Sequence, residues 1–341
     1  MIDGSPRAVA TQPEWLPHSF DADGSRIASL YIPRPEHERL TFLNDQYFQN
    51  RYPVAVHNRS AIEAAVTDAP EAPLHFIFHT AFCLSTLLVN AIGQLATVTA
   101  LKEPGILNDL ALRESSSGAP ANALQRLATR LLARPFAGDA CVVAKASNVA
   151  NRLIEPLLEN RPNSRAILLY SDVENLLLAV AKPSAGRRLW ARQLHAALAK
   201  WASLDAGLDK VALAQIDDLK LAALGWLIQV HHFSEMLARF GSGRIKLLNS
   251  DEIIGDPAAA VTSSTALFGL PVDRHAIDAV VGGPVFRKHS KIIGADYNLA
   301  QHRADREAAM DARGEEVTAA ASWIRRLAAE RTVKLAPGLT V

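Results

Sequence analysis

Apolar residues follow two rhythms along this chain. In five places they run together almost without a break: Leu74–Phe78, Val98–Leu101, Ala140–Ala144, Ala166–Tyr170 and Ile245–Leu248. Runs of that kind fit strands buried on both faces. Between them, apolar positions recur every three or four residues, the spacing of helices with one buried stripe. Helices are expected over Ser85–Leu95, Ala123–Leu132, Val149–Leu158, Arg187–Ser203, Val211–Phe240 and Ala304–Glu330. Pro156 should strain the end of the third. Leu40–Leu43 and Pro53–Val56 read as short strands, and the first 25 residues, polar with scattered Pro and Gly, as a loose leader.

Strands alternating with helices predict an α/β fold of three layers, a mostly parallel sheet flanked by helices, with a helical lid. The expected division is residues 1–70 as leader and short strands packing on the core, 71–300 as the α/β domain with a helical insertion near 187–240, and 301–341 as a C-terminal helical tail. Such sheets bind ligands at the carboxyl ends of their strands. Here those ends carry His79, Glu103, Lys145 and Ser171.

Composition narrows the picture. The chain has 341 residues, 49% hydrophobic and 21% charged, with net charge +1. That balance suits a globular protein and argues against a nucleic-acid partner, while leaving room for a local basic pocket. Cys83 and Cys141 are the only cysteines, so no disulfide framework or four-cysteine zinc site is expected. No apolar run approaches the roughly 20 residues that span a bilayer, and the start of the chain has no apolar signal core. The expectation is a cytoplasmic protein with no membrane partner. His231, His232 and Glu235 have helical spacing but lack the order of a metal motif, so no metal site is expected. Trp190, Trp201 and Trp226 read as helix packing.

The candidate chemistry lies where the first long strand ends. After Phe78 come six small, polar or odd residues, and then a helix opening with Ser85 and Thr86, one of which should be its N-cap. A helix start is an anion site even without lysine, because it exposes unpaired N–H groups and the positive end of the macrodipole. Phe82-Cys83-Leu84-Ser85-Thr86-Leu87-Leu88 resembles the loop of the sulfotransferase family that holds the 5'-phosphosulfate of 3'-phosphoadenosine-5'-phosphosulfate (PAPS). That loop has the form Lys/Arg-Ser-Gly-Ser/Thr-Thr-Trp/Leu-Leu. Further segments resemble the family in the same order: Leu101-Lys102-Glu103-Pro104, Val142–Asn148, Arg165–Leu178, Leu247–Leu270 and the basic stretch Val285–Lys291.

The resemblance implies a P-loop-like fold and sulfuryl transfer from PAPS as co-substrate, without a metal, to a small-molecule or carrier-bound hydroxyl or amine. Cys83, Leu84, Ser85 and Thr86 would hold the 5'-phosphosulfate. Glu103 would be the base, its pKa raised by burial, with His79 as the other candidate, and Lys145 would neutralise developing charge. Three family contacts are replaced: Phe82 stands for the loop cation, Ser171 for a 3'-phosphate arginine and Ala179 for a serine. Arg187, Arg188, Arg287, Lys288 and His289 are the candidate substitutes, the last three as readers of the 3'-phosphate. The alternatives are a catalytically degenerate member that binds a nucleotide or a partner, and a phosphotransferase, although the Walker A signature is absent. The acceptor and the oligomeric state are not written in the sequence.

Overall fold

All five apolar runs form strands of one parallel sheet. The structure is a computed structural model that describes residues 2–44, 48, 51–95, 97–113, 119–182, 185–287 and 299–339. The N-terminal region holds α1 (Pro6–Thr11), β1 (Trp15–Phe20), β2 (Arg26–Tyr31), α2 (Arg34–Arg39), β3 (Val54–Asn58) and α3 (Arg59–Ala65). Its three strands make a small antiparallel sheet in the order β1-β2-β3.

The expected loose leader is therefore built structure. Trp15 and Leu16 are buried, and Trp15 donates its indole N–H to the Asp3 carbonyl at 2.9 Å. The buried Arg134 guanidinium gathers the carbonyls of Val9, Gln12 and Trp15, so a cation from the main domain fixes the first turn and strand. Leu40–Leu43 is not a strand. It crosses the end of the large sheet, where the Leu43 N–H donates to the Lys102 carbonyl at 2.6 Å.

The large sheet contains β4 (Leu74–His79), β5 (Val98–Lys102), β6 (Cys141–Lys145), β7 (Ala166–Tyr170) and β8 (Ile245–Asn249), in the order β5-β6-β4-β7-β8. Alternate residues of β4 feed two cores. Phe76 and Phe78 face one layer with Val142, Ala144 and Leu168, whereas Ile77 faces the other with Val143 and Ile167. The helices are α4 (Ser85–Gly93), α5 (Gly105–Leu112), α6 (Ala119–Leu132), α7 (Ile154–Asn160), α8 (Val173–Ala181), α9 (Ala185–Leu198), α10 (Lys210–Gln215), α11 (Asp218–Phe240), α12 (Ser250–Gly255), α13 (Pro257–Phe268), α14 (Arg274–Val281) and α15 (Leu299–Glu330). A 3-10 turn over Asn148–Leu153 precedes α7, which places Pro156 in a first turn, where its missing N–H costs nothing.

The segment expected as a lid divides in two. Helix α11 is interior: Trp226, Val230 and Phe233 are wholly buried, and apolar residues surround most of its circumference. Helix α9 reaches the loop after β4, where Trp190 meets Phe82. Among the described residues, no helix is long and apolar enough to cross a membrane.

Candidate functional site

Parallel register brings the ends of four strands together. Ile77 lies opposite Lys145, Lys145 opposite Lys102, and His79 opposite Leu169. The chain leaves β4 through a strained bend in which Ala81 (φ 78°), Phe82 (φ 50°) and Leu84 (φ 63°) are all left-handed. Each costs about 1 kcal/mol without glycine, so the surrounding packing must impose the turn. Cys83 helps from below: its thiol is buried and donates to the Leu169 carbonyl at 3.6 Å.

Leu84 is the N-cap of α4, so Ser85 and Thr86, expected as caps, are its first two helical residues instead. No side chain caps this helix. Asp209, Asp217, Asn249, Asp256 and Asp273 each accept a first-turn N–H of their own helix, whereas α2, α3, α5, α7 and α8 start, like α4, without a side-chain cap. What sets α4 apart is its place, since its first-turn N–H donors and the positive end of its dipole lie at the carboxyl end of the central strand. Two nearby hydroxyls, Thr80 Oγ1 and Thr86 Oγ1, are buried without a partner among the described residues.

Beside the bend sits a buried ion pair. Lys145 is 1% exposed, and its ammonium contacts Glu103 Oε1 and lies 4.9 Å from the Phe42 ring centroid. Glu103 is itself left-handed, at φ 56° just before Pro104, and its N–H is tied to the Lys145 carbonyl at 2.7 Å. His79 accepts the Ala81 N–H on Nδ1 at 3.0 Å, which leaves the ring proton on Nε2, 3.8 Å from Glu103 Oε1. Asn151 braces this strand end by donating to the His79 carbonyl at 3.1 Å.

The electrostatics differ from the sequence-based expectation. Burial does push the Glu103 carboxyl up, but the Lys145 ammonium and His79 outweigh it and hold the group at about 2. At rest Glu103 is a locked anion, not a poised base. Lys102, also buried, donates to the Glu38 carbonyl at 2.8 Å, and burial with its lysine neighbour lowers it to about 8. Sequence reading missed Lys102 as part of this site. Its signal was a second lysine at the end of a buried strand. Two ammonium groups thus stand at adjacent strand ends, Lys145 against Glu103 and Lys102 in the field of Glu38.

The remaining predicted residues scatter. Ser171 is wholly buried. Its carbonyl takes the Trp226 indole N–H at 2.8 Å, and its hydroxyl has no partner among the described residues. Next to it opens a cavity of about 740 Å³ with Asp172, Glu174, Asp251 and Glu307 set against Arg306 and Arg325. Arg325 pairs with Glu174, and Arg306 lies 3.7 Å from Asp251. This surround is acidic where the resemblance would put a 3'-phosphate. Arg287 is exposed at the end of a turn whose Phe286 packs on the α4 side of the sheet. Lys288 and His289 lie outside the described residues. His232 Nε2 faces the Asn151 carbonyl at 3.1 Å, and among the described residues no cluster of three ligand-type side chains could hold a metal.

No family model matches the chain. No curated protein matches it either. Solved structures that it resembles include the sulfotransferase domain from the curacin biosynthetic pathway, at 12% identity over 78% of this chain and 99% of that one, with a TM-score of 0.45. A sulfotransferase from Mycobacterium avium matches at 12% identity over 84% of this chain and 82% of its own, with a TM-score of 0.41. One from Alicyclobacillus acidocaldarius matches at 15% over 78% and 98%, with a TM-score of 0.39. The likeness is distant, and the functional reading stands on the site's own residues.

Proposed function

We propose that this protein is a sulfotransferase that moves a sulfuryl group from PAPS to a hydroxyl or amine acceptor. The observation that carries the reading is the open N-terminus of α4, left uncapped at the end of the central strand beside the buried Lys145–Glu103 pair. The first-turn N–H groups with Ser85 and Thr86 would take the 5'-phosphosulfate. Lys145 would turn from Glu103 to the sulfuryl oxygens as charge builds on them. The freed Glu103 carboxylate would accept the acceptor proton as the acceptor oxygen or nitrogen bonds to sulfur. The bond from sulfur to the bridging phosphate oxygen breaks, and its electron pair leaves with adenosine 3',5'-bisphosphate.

The acidic cavity beside Ser171 favours a second reading, a nucleotide-binding protein on the same fold whose ligand lacks a 3'-phosphate. Calorimetry with adenosine 3',5'-bisphosphate and with ATP–magnesium separates the two. Wild type should prefer the bisphosphate, and Ser85→Ala/Thr86→Ala should weaken that binding by about 2–3 kcal/mol. An unchanged affinity in the folded variant removes the loop from the site. Binding of ATP alone transfers the argument to the second reading.

A further inference from the structure

The loop after β4 carries no cation of its own, yet a cation stands over it. The Arg187 guanidinium carbon lies 5.5 Å from the Phe82 ring centroid, and one helical turn later the Trp190 ring meets the same Phe82 edge-on at 5.1 Å. Phe82 is one of the left-handed residues of the bend, so the first turn of α9 is clamped onto the loop that opens α4. Arg187 Nη1 donates to the Ala179 carbonyl in the last turn of α8. Among the described residues no carboxylate pairs with Arg187, whereas Arg192 further along α9 pairs with Asp218 at 2.5 Å.

A guanidinium carries five N–H donors, and a contact through an aromatic ring occupies none of them. One carbonyl occupies one of them. Thr86, with its unpartnered buried hydroxyl, sits in the first turn of α4. We infer that Arg187, delivered by α9 and placed over the Phe82 ring, is the cation that completes the anion site at the start of α4, its ligand a phosphate or phosphosulfate group. The inference rests on the reading of this loop as an anion site. It adds that the charge comes from a separate element, α9, whose Trp190 packs on the same loop residue. The competing role is structural: Arg187 would then only satisfy the carboxyl end of α8.

Titration with inorganic pyrophosphate by calorimetry, on wild type, Arg187→Ala, Arg187→Lys and the control Arg192→Ala, decides between them. Loss of one charged hydrogen bond should weaken pyrophosphate about tenfold to a hundredfold in Arg187→Ala. Arg187→Lys should recover part of the loss and Arg192→Ala should match wild type. The gap should narrow as salt rises. Equal affinities for wild type and Arg187→Ala overturn the inference, as does wild type that is folded and binds no pyrophosphate. Arginine-dependent pyrophosphate binding with no binding of adenosine 3',5'-bisphosphate leaves the inference standing and removes PAPS as the donor.

Discussion

Breaking the Lys145–Glu103 pair from each side should cost more than removing both partners. The carboxyl is held at about 2 against an ordinary 4.5. At about 1.4 kcal/mol for each power of ten, its charge is favoured in the folded protein by about 3 kcal/mol. Lys145→Met leaves Glu103 buried without its partner, and Glu103→Gln leaves the ammonium uncompensated. Either should destabilise by about 3–5 kcal/mol. The double variant should recover at least about 2 kcal/mol of the summed loss, since no unpaired charge remains. The sign with pH follows from the depressed carboxyl. Its contribution is fully present above about 4.5 and fades as pH falls through about 2, so wild type should lose this increment on acidification. Glu103→Gln should lack that slope. Urea unfolding of the four proteins at pH 7 and at pH 3 gives all the terms. Single-variant losses below about 1 kcal/mol that simply add would show that the two groups are neither buried nor coupled as described.

Two other outcomes are expected. Gly93→Ala would bring a new Cβ to 2.7 Å from Ala100 Cβ, backbone-fixed on both sides, so α4 must move off β5, and thermal unfolding should show a loss of about 1–3 kcal/mol. With an acceptor in hand, turnover should show an acid limb from protonation of Glu103 in the donor complex; a flat profile down to the range where the resting pair titrates would remove that role.

The large sheet was legible because its strands are buried on both faces and therefore written as solid apolar runs. The small sheet was not. Trp15–Phe20 includes a proline and a histidine, and it is anchored by Arg134 from more than a hundred residues away, a contact no local pattern announces. Helix α11 was legible as a helix but not as an interior one, since its burial depends on α8, α9 and α15 closing around it. Within the site, His79, Glu103 and Lys145 could be placed together because strand ends converge in a parallel sheet. Their charge state could not. Whether a buried carboxylate is raised or lowered depends on which neighbour points at it, and here a fully buried lysine does. The uncapped helix was similarly hidden: Ser85 and Thr86 look like caps until the left-handed Leu84 takes that position.

That same pair supplies an order to the proposed reaction. Burial is the largest influence on Glu103 and pushes its carboxyl up; Lys145 and His79 reverse it. In the proposed reaction, an anion arriving at the start of α4 would compete with Glu103 for the Lys145 ammonium. As the lysine turns away, burial is left opposed by His79 alone, and the carboxylate becomes a stronger base. Proton abstraction would then be coupled to donor occupancy. The left-handed Glu103, its N–H tied to the Lys145 carbonyl, keeps the carboxylate in place while its partner changes allegiance. A solvent-exposed carboxylate would be screened from the lysine's departure, whereas the Glu103 side chain, 13% exposed, would be screened far less.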